Sequence, residues 1–318
     1  MSSAIETSPF AHKTTTAAPS HDRHHNEKES HSSSGELELS KSSQLQPALP
    51  KATSLLVNSG NMVASERFLL KKKTNMSAQE ELNDVLNKTF AAWLASADRA
   101  VLHDAKTIQC RHPELYERLA HDEKSEVSVS VKLFLNAFDE QTLADALATV
   151  AGEIGCDRLD TVILSFPDKL FGDDELPKDL LMPVWAALQR SVHAGRVGTA
   201  GLADFSAHNL SQFVAALEDK SHKPTLNQVN LTSCCKMPED LVEFGKIHNI
   251  QLTTHVDPRE ILSVEGLQSN IRNYAHEYDA HGWVNLWTAR YTLIYKGRGV
   301  VKSKGYIVNA QRELKYTK

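Results

Sequence analysis

Gly195-Arg196-Val197-Gly198-Thr199-Ala200-Gly201-Leu202-Ala203-Asp204-Phe205 decides the fold, because one helix ends in it and one strand begins. Upstream, Leu181, Val184, Trp185, Leu188 and Val192 recur at helical spacing. Gly195 suits the left-handed position just past a helix end. Arg196 to Leu202 then reads as a strand. Ser206 follows as an N-cap for a helix whose buried face is Leu210, Phe213, Val214 and Leu217. The stretch is therefore one helix–strand–helix step.

The same step repeats on both sides. Upstream, Val127, Val129, Val131 and Leu133 alternate as in a strand, and Thr161-Val162-Ile163-Leu164 is an apolar run suited to a buried parallel strand. Between them Leu143, Ala146, Leu147, Val150, Ala151 and Ile154 form a helical face started by Asp139 and stopped by Gly155. Downstream, Leu226 to Leu231 and Ile250 to Thr254 read as strands, and Pro238 opens a helix where a missing N–H costs nothing. Nearer the N-terminus, Ser54 to Val57 reads as a short strand. Ser77 with Glu80 forms a capping box ahead of Leu82, Val85, Leu86, Phe90 and Trp93. Alternation at a repeat of about 30 residues predicts an α/β fold, a (β/α)₈ TIM-type barrel over residues 53–318. Residues 1–52 are polar and aperiodic and are expected to form a disordered tail.

The chain has 318 residues, 41% apolar and 24% charged, with net charge −5, an ordinary balance for a globular protein. That charge argues against a nucleic-acid binder, and Lys71-Lys72-Lys73 reads as a solvated corner. No apolar run is long enough to span a membrane, and no secretory signal is visible. A cytoplasmic location with free thiols is expected for Cys110, Cys156, Cys234 and Cys235, whose spacing fits no zinc pattern. The scattered His21, His24, His25 and His31 read as part of a solvated tail. His276-Glu277 with His281 misses the zinc-protease spacing by one residue, so no metal site is expected. No phosphate loop, dinucleotide glycine motif or nucleophile elbow is present.

Five segments, in order, resemble the aldo-keto reductases. Val129-Ser130-Val131-Lys132-Leu133 is similar to their catalytic-lysine strand, and Asp160 to Pro167 to their "DLYLIHWP". Gly195 to Phe205 resembles "GKVRAIGVSNF", Asn227-Gln228-Val229-Asn230 resembles "NQVE", and Val300-Val301-Lys302-Ser303 resembles the cofactor-phosphate motif "IPKS". That family reduces carbonyls with NADPH, using a tyrosine acid supported by lysine, aspartate and histidine. Carbonyl reduction needs a tuned proton donor at the carbonyl oxygen. Here Ser165 stands at the histidine position, and no segment before Lys132 carries the tyrosine and aspartate; the only earlier tyrosine is Tyr116. Ala203-Asp204 replaces the nicotinamide-binding "SN", and His255 replaces the stacking tyrosine. No catalytic residue is therefore expected. Weak residual NADPH binding at Gln228, Lys302 and Ser303 is what the resemblance leaves.

A second resemblance is more specific. Asn227 to Leu241, with the adjacent Cys234-Cys235, is similar to the "NQVNLASCCxMPPDL" segment of the glutamate–cysteine ligase regulatory (modifier) subunit family. Arg298 to Ile307 resembles its "RGIIKSKGYI", and Ser59-Gly60-Asn61-Met62 its "TGNL". This resemblance implies a regulatory subunit, not an enzyme. It would form a heterodimer with the ligase catalytic subunit, improve glutamate affinity and relieve glutathione feedback inhibition. It also implies Cys234 or Cys235 as donors of an intersubunit disulfide. The competing expectation is an NADPH-dependent oxidoreductase, or an NADPH sensor, with a rearranged site using Lys132, Tyr116 or His255.

Overall fold

Ser77 caps the first long helix with both halves of its box formed. Its hydroxyl accepts from the Glu80 amide at 3.2 Å and the Glu80 carboxylate accepts from the Ser77 amide at 2.8 Å. In this computed structural model residues 47–64, 76–171, 175–232 and 236–314 are described. The strands are β1 (Ser54–Asn58), β2 (Thr107–Arg111), β3 (Val127–Leu135), β4 (Leu159–Ser165), β5 (Val197–Ala203), β6 (Leu226–Asn230), β7 (Gln251–His255), β8 (Val284–Tyr295) and β9 (Val301–Gln311). The helices are α1 (Ala78–Ser96), α2 (Arg99–Asp104), α3 (Glu140–Ile154), α4 (Lys178–His193), α5 (Ala207–Ala216), α6 (Glu239–His248), α7 (Val264–Arg272) and α8 (Glu277–Ala280).

Among the described residues the strands form one nine-stranded sheet ordered β2-β1-β9-β8-β3-β4-β5-β6-β7. The run β3 to β7 is parallel, as the strand–helix alternation requires. The α/β class holds, with nine strands in place of the eight expected. The sheet does not close: β2 and β7 stand at its edges. β8 and β9 run antiparallel to each other and to their outer neighbours β3 and β1. Their linker explains this. Gly297, Gly299 and three other residues separate them, with Gly299 at φ +62°, and a connection that short can only return antiparallel.

Strand alternation sorts the side chains. Val131 and Leu133 of β3, Val162 and Leu164 of β4 and Leu202 of β5 are buried in one core with Leu143, Leu147, Leu181, Trp185, Leu188 and Phe213 of the helices. The intervening residues point to the opposite face, where Ile163, Ala203 and Leu226 form a small apolar cluster. Lys132 lies on that second face. A separate core joins α1, β1, β2, α7 and β9 through Leu82, Phe90, Val57, Ile108, Leu267 and Val308.

The expected tail boundary near residue 52 falls inside the described chain. Ala48 and Leu49 are buried, and their amides donate to the Asp279 carboxylate at 2.7 and 2.8 Å. The tail itself, residues 1–46, lies outside the described residues, as do Lys71, Lys72 and Lys73.

Candidate functional site

The second sheet face carries a buried cluster of charges. β3 presents Lys132, whose Nζ lies 3.1 Å from Asp257 Oδ2 and 3.2 Å from His255 Nδ1. Asp257 follows β7, so the sheet curls until its last strand meets β3 and β8. From β8, Arg290 grips the same carboxylate with both terminal nitrogens, Nη2 to Oδ2 at 2.8 Å and Nη1 to Oδ1. His255 Nε2 is 2.9 Å from Oδ1 of Asp204, which follows β5. Asp204 holds a left-handed φ of +63°. Its carboxylate also accepts from the Asn230 amide at 2.9 Å, which ties the turn after β5 to β6. Arg259 closes the rim, donating to the Asp204 carbonyl and stacking 4.2 Å over Phe171.

These groups set one another's charge. Burial works against the Asp257 carboxylate, but His255, Arg290 and Lys132 outweigh it and hold it well below the usual carboxylate range. Burial likewise opposes ionisation of Asp204, and the His255 hydrogen bond reverses the balance downward. Burial lowers the Lys132 ammonium, with Asp257 resisting. For His255, burial favours the neutral ring, and the bonds to Asp204 and Asp257 win, raising it. In the neutral ring Nδ1 accepts from the Asp257 amide at 3.1 Å and from Lys132. Once protonated, Nδ1 faces Asp257 Oδ2 at 3.4 Å.

The nearest tyrosine in the row of Lys132 belongs to β9. Lys132 is in register with Arg290, and Arg290 with Tyr306, so a tyrosine stands in the same row across β3, β8 and β9. The Tyr306 hydroxyl, however, is 3.1 Å from Glu81 of α1, and burial and Glu81 push its pKa up. Among the described residues no tyrosine hydroxyl is hydrogen-bonded to Lys132. Tyr116 lies elsewhere, with the Arg111 guanidinium 4.9 Å above its ring. Ser165 Oγ at the end of β4, and Gln228 Oε1 and Thr253 Oγ1 in the middle of β6 and β7, are buried without a hydrogen-bond partner among the described residues.

Gln228 is not brought together with Lys302 and Ser303. Asn227, beside Gln228, is level with Leu133 through Leu202 and Leu164. Ser303 is level with Val129 through Leu293. Four residues along the strands correspond to about 13 Å, in addition to the intervening strands. Lys302 pairs with Glu123, and Ser303 hydrogen-bonds Tyr291. The cavity they line is also walled by Glu117, Glu123 and Glu153. Three carboxylates against Lys302 and Arg118 leave this wall net acidic, which does not suit the cofactor-phosphate role that the resemblance implies for 300–303. The direction of β8 is the physical reason: it runs antiparallel to β3 and ends level with Val127, so the short Gly-rich return starts β9 at the N-terminal ends of the parallel strands.

Cys234 and Cys235 lie outside the described residues. Cys110 and Cys156 are free, and burial raises both thiols, Cys156 to about 11. Among the described residues no group of three or more His, Cys, Asp or Glu could hold a metal, and no helix is long and apolar enough to cross a membrane. His276 serves as N-cap of α8, accepting from the Tyr278 amide. Sequence reasoning singled out Lys132 and His255 but missed Asp257 and Arg290. Asp257 sits in an aperiodic turn before Pro258, and Arg290 in a strand whose partner was not foreseen.

Fold and site define a class: an α/β protein whose sheet carries a buried lysine clustered with aspartate, histidine and arginine neighbours. No family model matches the chain. It is 34% identical to the glutamate–cysteine ligase regulatory subunit of Bos taurus over 267 residues, covering 83% of this chain and 95% of that protein. The Homo sapiens regulatory subunit is matched at 34% over 266 residues, with the same coverage. Among solved structures, an aldo-keto reductase from a deep-sea metagenome library is matched at 20% identity and a TM-score of 0.33, over 43% of this chain and 45% of that one. The chain belongs to the family of glutamate–cysteine ligase regulatory subunits.

Proposed function

We propose that this chain is a non-catalytic subunit that binds the glutamate–cysteine ligase catalytic subunit in the cytoplasm, improves its glutamate affinity and relieves feedback inhibition by glutathione. The observation that carries the reading is the 34% identity to named regulatory subunits over 95% of their length. The charge cluster supports it: Lys132 is engaged by Asp257 and His255, and the Tyr306 hydroxyl, held by Glu81 and Arg290, is pushed up by burial and so is not prepared as the proton donor that carbonyl reduction needs. Regulation requires the chain to bind one conformation of the catalytic subunit better than another, since only differential affinity shifts an equilibrium. Co-purification with the catalytic subunit, with a lowered KM for glutamate, is the expected result. No complex, or a complex with unchanged kinetics, refutes the reading. Cys234 and Cys235 are proposed as donors of an intersubunit disulfide under oxidant. A reductant-sensitive cross-link that persists in Cys234→Ser/Cys235→Ser removes that role.

A second reading, an NADPH-dependent oxidoreductase or NADPH sensor, is favoured by the partnerless oxygens of Ser165 and Gln228. Turnover of aldehydes with NADPH that is lost in Lys132→Met, or fluorescence quenching by NADPH that is lost in Gln228→Ala, supports it. Absence of both leaves the regulatory reading alone.

A further inference from the structure

Among the described residues β7 is an edge strand, paired on one side with β6. Its outward groups can be identified. The Gln251 amide donates to Thr225 at 2.9 Å and the His255 carbonyl accepts from Leu231 at 3.4 Å, both toward the β6 side. Backbone groups alternate along a strand, so those of Leu252 and Thr254 point to the open edge. Natural edges are commonly blocked by lysine, proline or a bulge. The β7 sequence, Gln251-Leu252-Thr253-Thr254-His255, contains neither residue, and its pairing with β6 is unbroken.

Both ends of this edge are dressed for a partner. Beyond its C-terminal end, Val256 is 71% exposed. At its N-terminal end a groove is lined by Lys223, Thr225, Val242, Gly245, Lys246 and Leu252, with no carboxylate in its wall. Neither Lys223 nor Lys246 makes an ion pair with a described residue, whereas Lys132, Lys302 and Lys304 all do. An open strand edge with two lysines outside any ion pair, in a groove whose wall holds no carboxylate, selects an extended segment bearing carboxylates.

We infer that β7 is a docking edge for an extended acidic segment of the ligase catalytic subunit. That segment adds a strand on Leu252 and Thr254 and places a carboxylate between Lys223 and Lys246. This inference rests on the regulatory-subunit reading.

The test uses the full chain and the purified catalytic subunit. Thr254→Pro removes one outward N–H without touching the β6 ladder, and Lys223→Glu/Lys246→Glu reverses the groove charge. The expected results are slower amide exchange at Leu252 and Thr254 in the complex, and at least about tenfold weaker affinity for each variant by titration calorimetry. Circular dichroism should show both variants folded; if Thr254→Pro fails to fold, the lysine variant and the exchange data decide. Wild-type affinity in both variants with unprotected edge amides overturns the edge and leaves the regulatory reading standing. No complex with the wild-type chain sinks the reading, and the edge with it. A homodimer of the isolated chain that Thr254→Pro dissociates assigns the edge to a second copy and overturns the acidic partner.

Discussion

Lys132 and Asp257 form an ion pair of 3.1 Å in which the side chains are only 4% and 1% exposed. Removing either from water costs several kcal/mol, and the pair persists because Arg290 and His255 complete its hydrogen bonding. The partners are unequal. Asp257 answers three cationic or protonatable groups, whereas Lys132 is one of three donors to it. Asp257→Asn should therefore cost about 3–5 kcal/mol, leaving the buried Lys132 and the half-buried Arg290 without the carboxylate they share. Lys132→Met should cost less, because Arg290 still neutralises Asp257. Urea midpoints at unchanged m-value check the ranking. Equal losses in the two variants would show that Arg290 does not compensate.

The His255 imidazole faces Asp204 and Asp257 as acceptors and Lys132 as a competing cation. Its pKa is raised above 6.5 in the folded chain. A group of this kind contributes stability that is full below its unfolded pKa and is lost as pH rises through the folded value. Both neighbouring aspartates are lowered, so they stay ionised throughout that window. The stability gap between the wild type and His255→Gln should be widest near about pH 5.5 and shrink toward about pH 8.5. A gap that widens with pH would mean the ring is held neutral by Lys132.

Gly60 and Gly152 answer alanine substitution in opposite directions. Gly60 has φ +68°, and a Cβ there would meet the Leu115 carbonyl carbon and oxygen at 2.3 Å, both backbone atoms. The chain cannot yield without moving the Leu115 segment, whose carbonyl also accepts from the Asn61 amide. Gly60→Ala should cost about 3 kcal/mol or more. Gly152 lies inside α3 with nothing within 4 Å of a Cβ. Gly152→Ala should add about 0.5–1 kcal/mol through helix propensity. Thermal midpoints moving in opposite directions are the expected reading.

What the sequence disclosed follows from where the forces are local. Ser77 with Glu80, Asp139, Ser206 and Gly155 each act within one helical turn, and each cap forms as its residue type requires. Parallel strands β3 to β7 were legible because helix and strand periods alternate there. The β8–β9 hairpin was legible too, in Lys296-Gly297-Arg298-Gly299 between two strand-like runs, but motif similarity at 300–303 masked it. The site was half visible: Lys132 and His255 carried motif positions, whereas Asp257 and Arg290 meet only because the sheet curls. Long-range curvature of that kind leaves no periodic trace.

The segment ahead of β1 is anchored by a single acid. Asp279 is fully buried and accepts from the Ala48 and Leu49 amides with its two carboxylate oxygens. Arg312 completes the clasp, donating from Nε to the Ala52 carbonyl at 2.6 Å and from Nη1 to the Asp279 carbonyl at 3.1 Å. Each amide left without an acceptor in the interior costs about 1–3 kcal/mol. In Asp279→Asn one oxygen becomes a donor that opposes an amide, so Asn should be no better tolerated than Ala. Both variants should expose residues 47–53 to limited proteolysis well below the concentration of urea that unfolds the remaining sheet. Cleavage rates equal to the wild type in both would mean that Arg312 alone holds the segment.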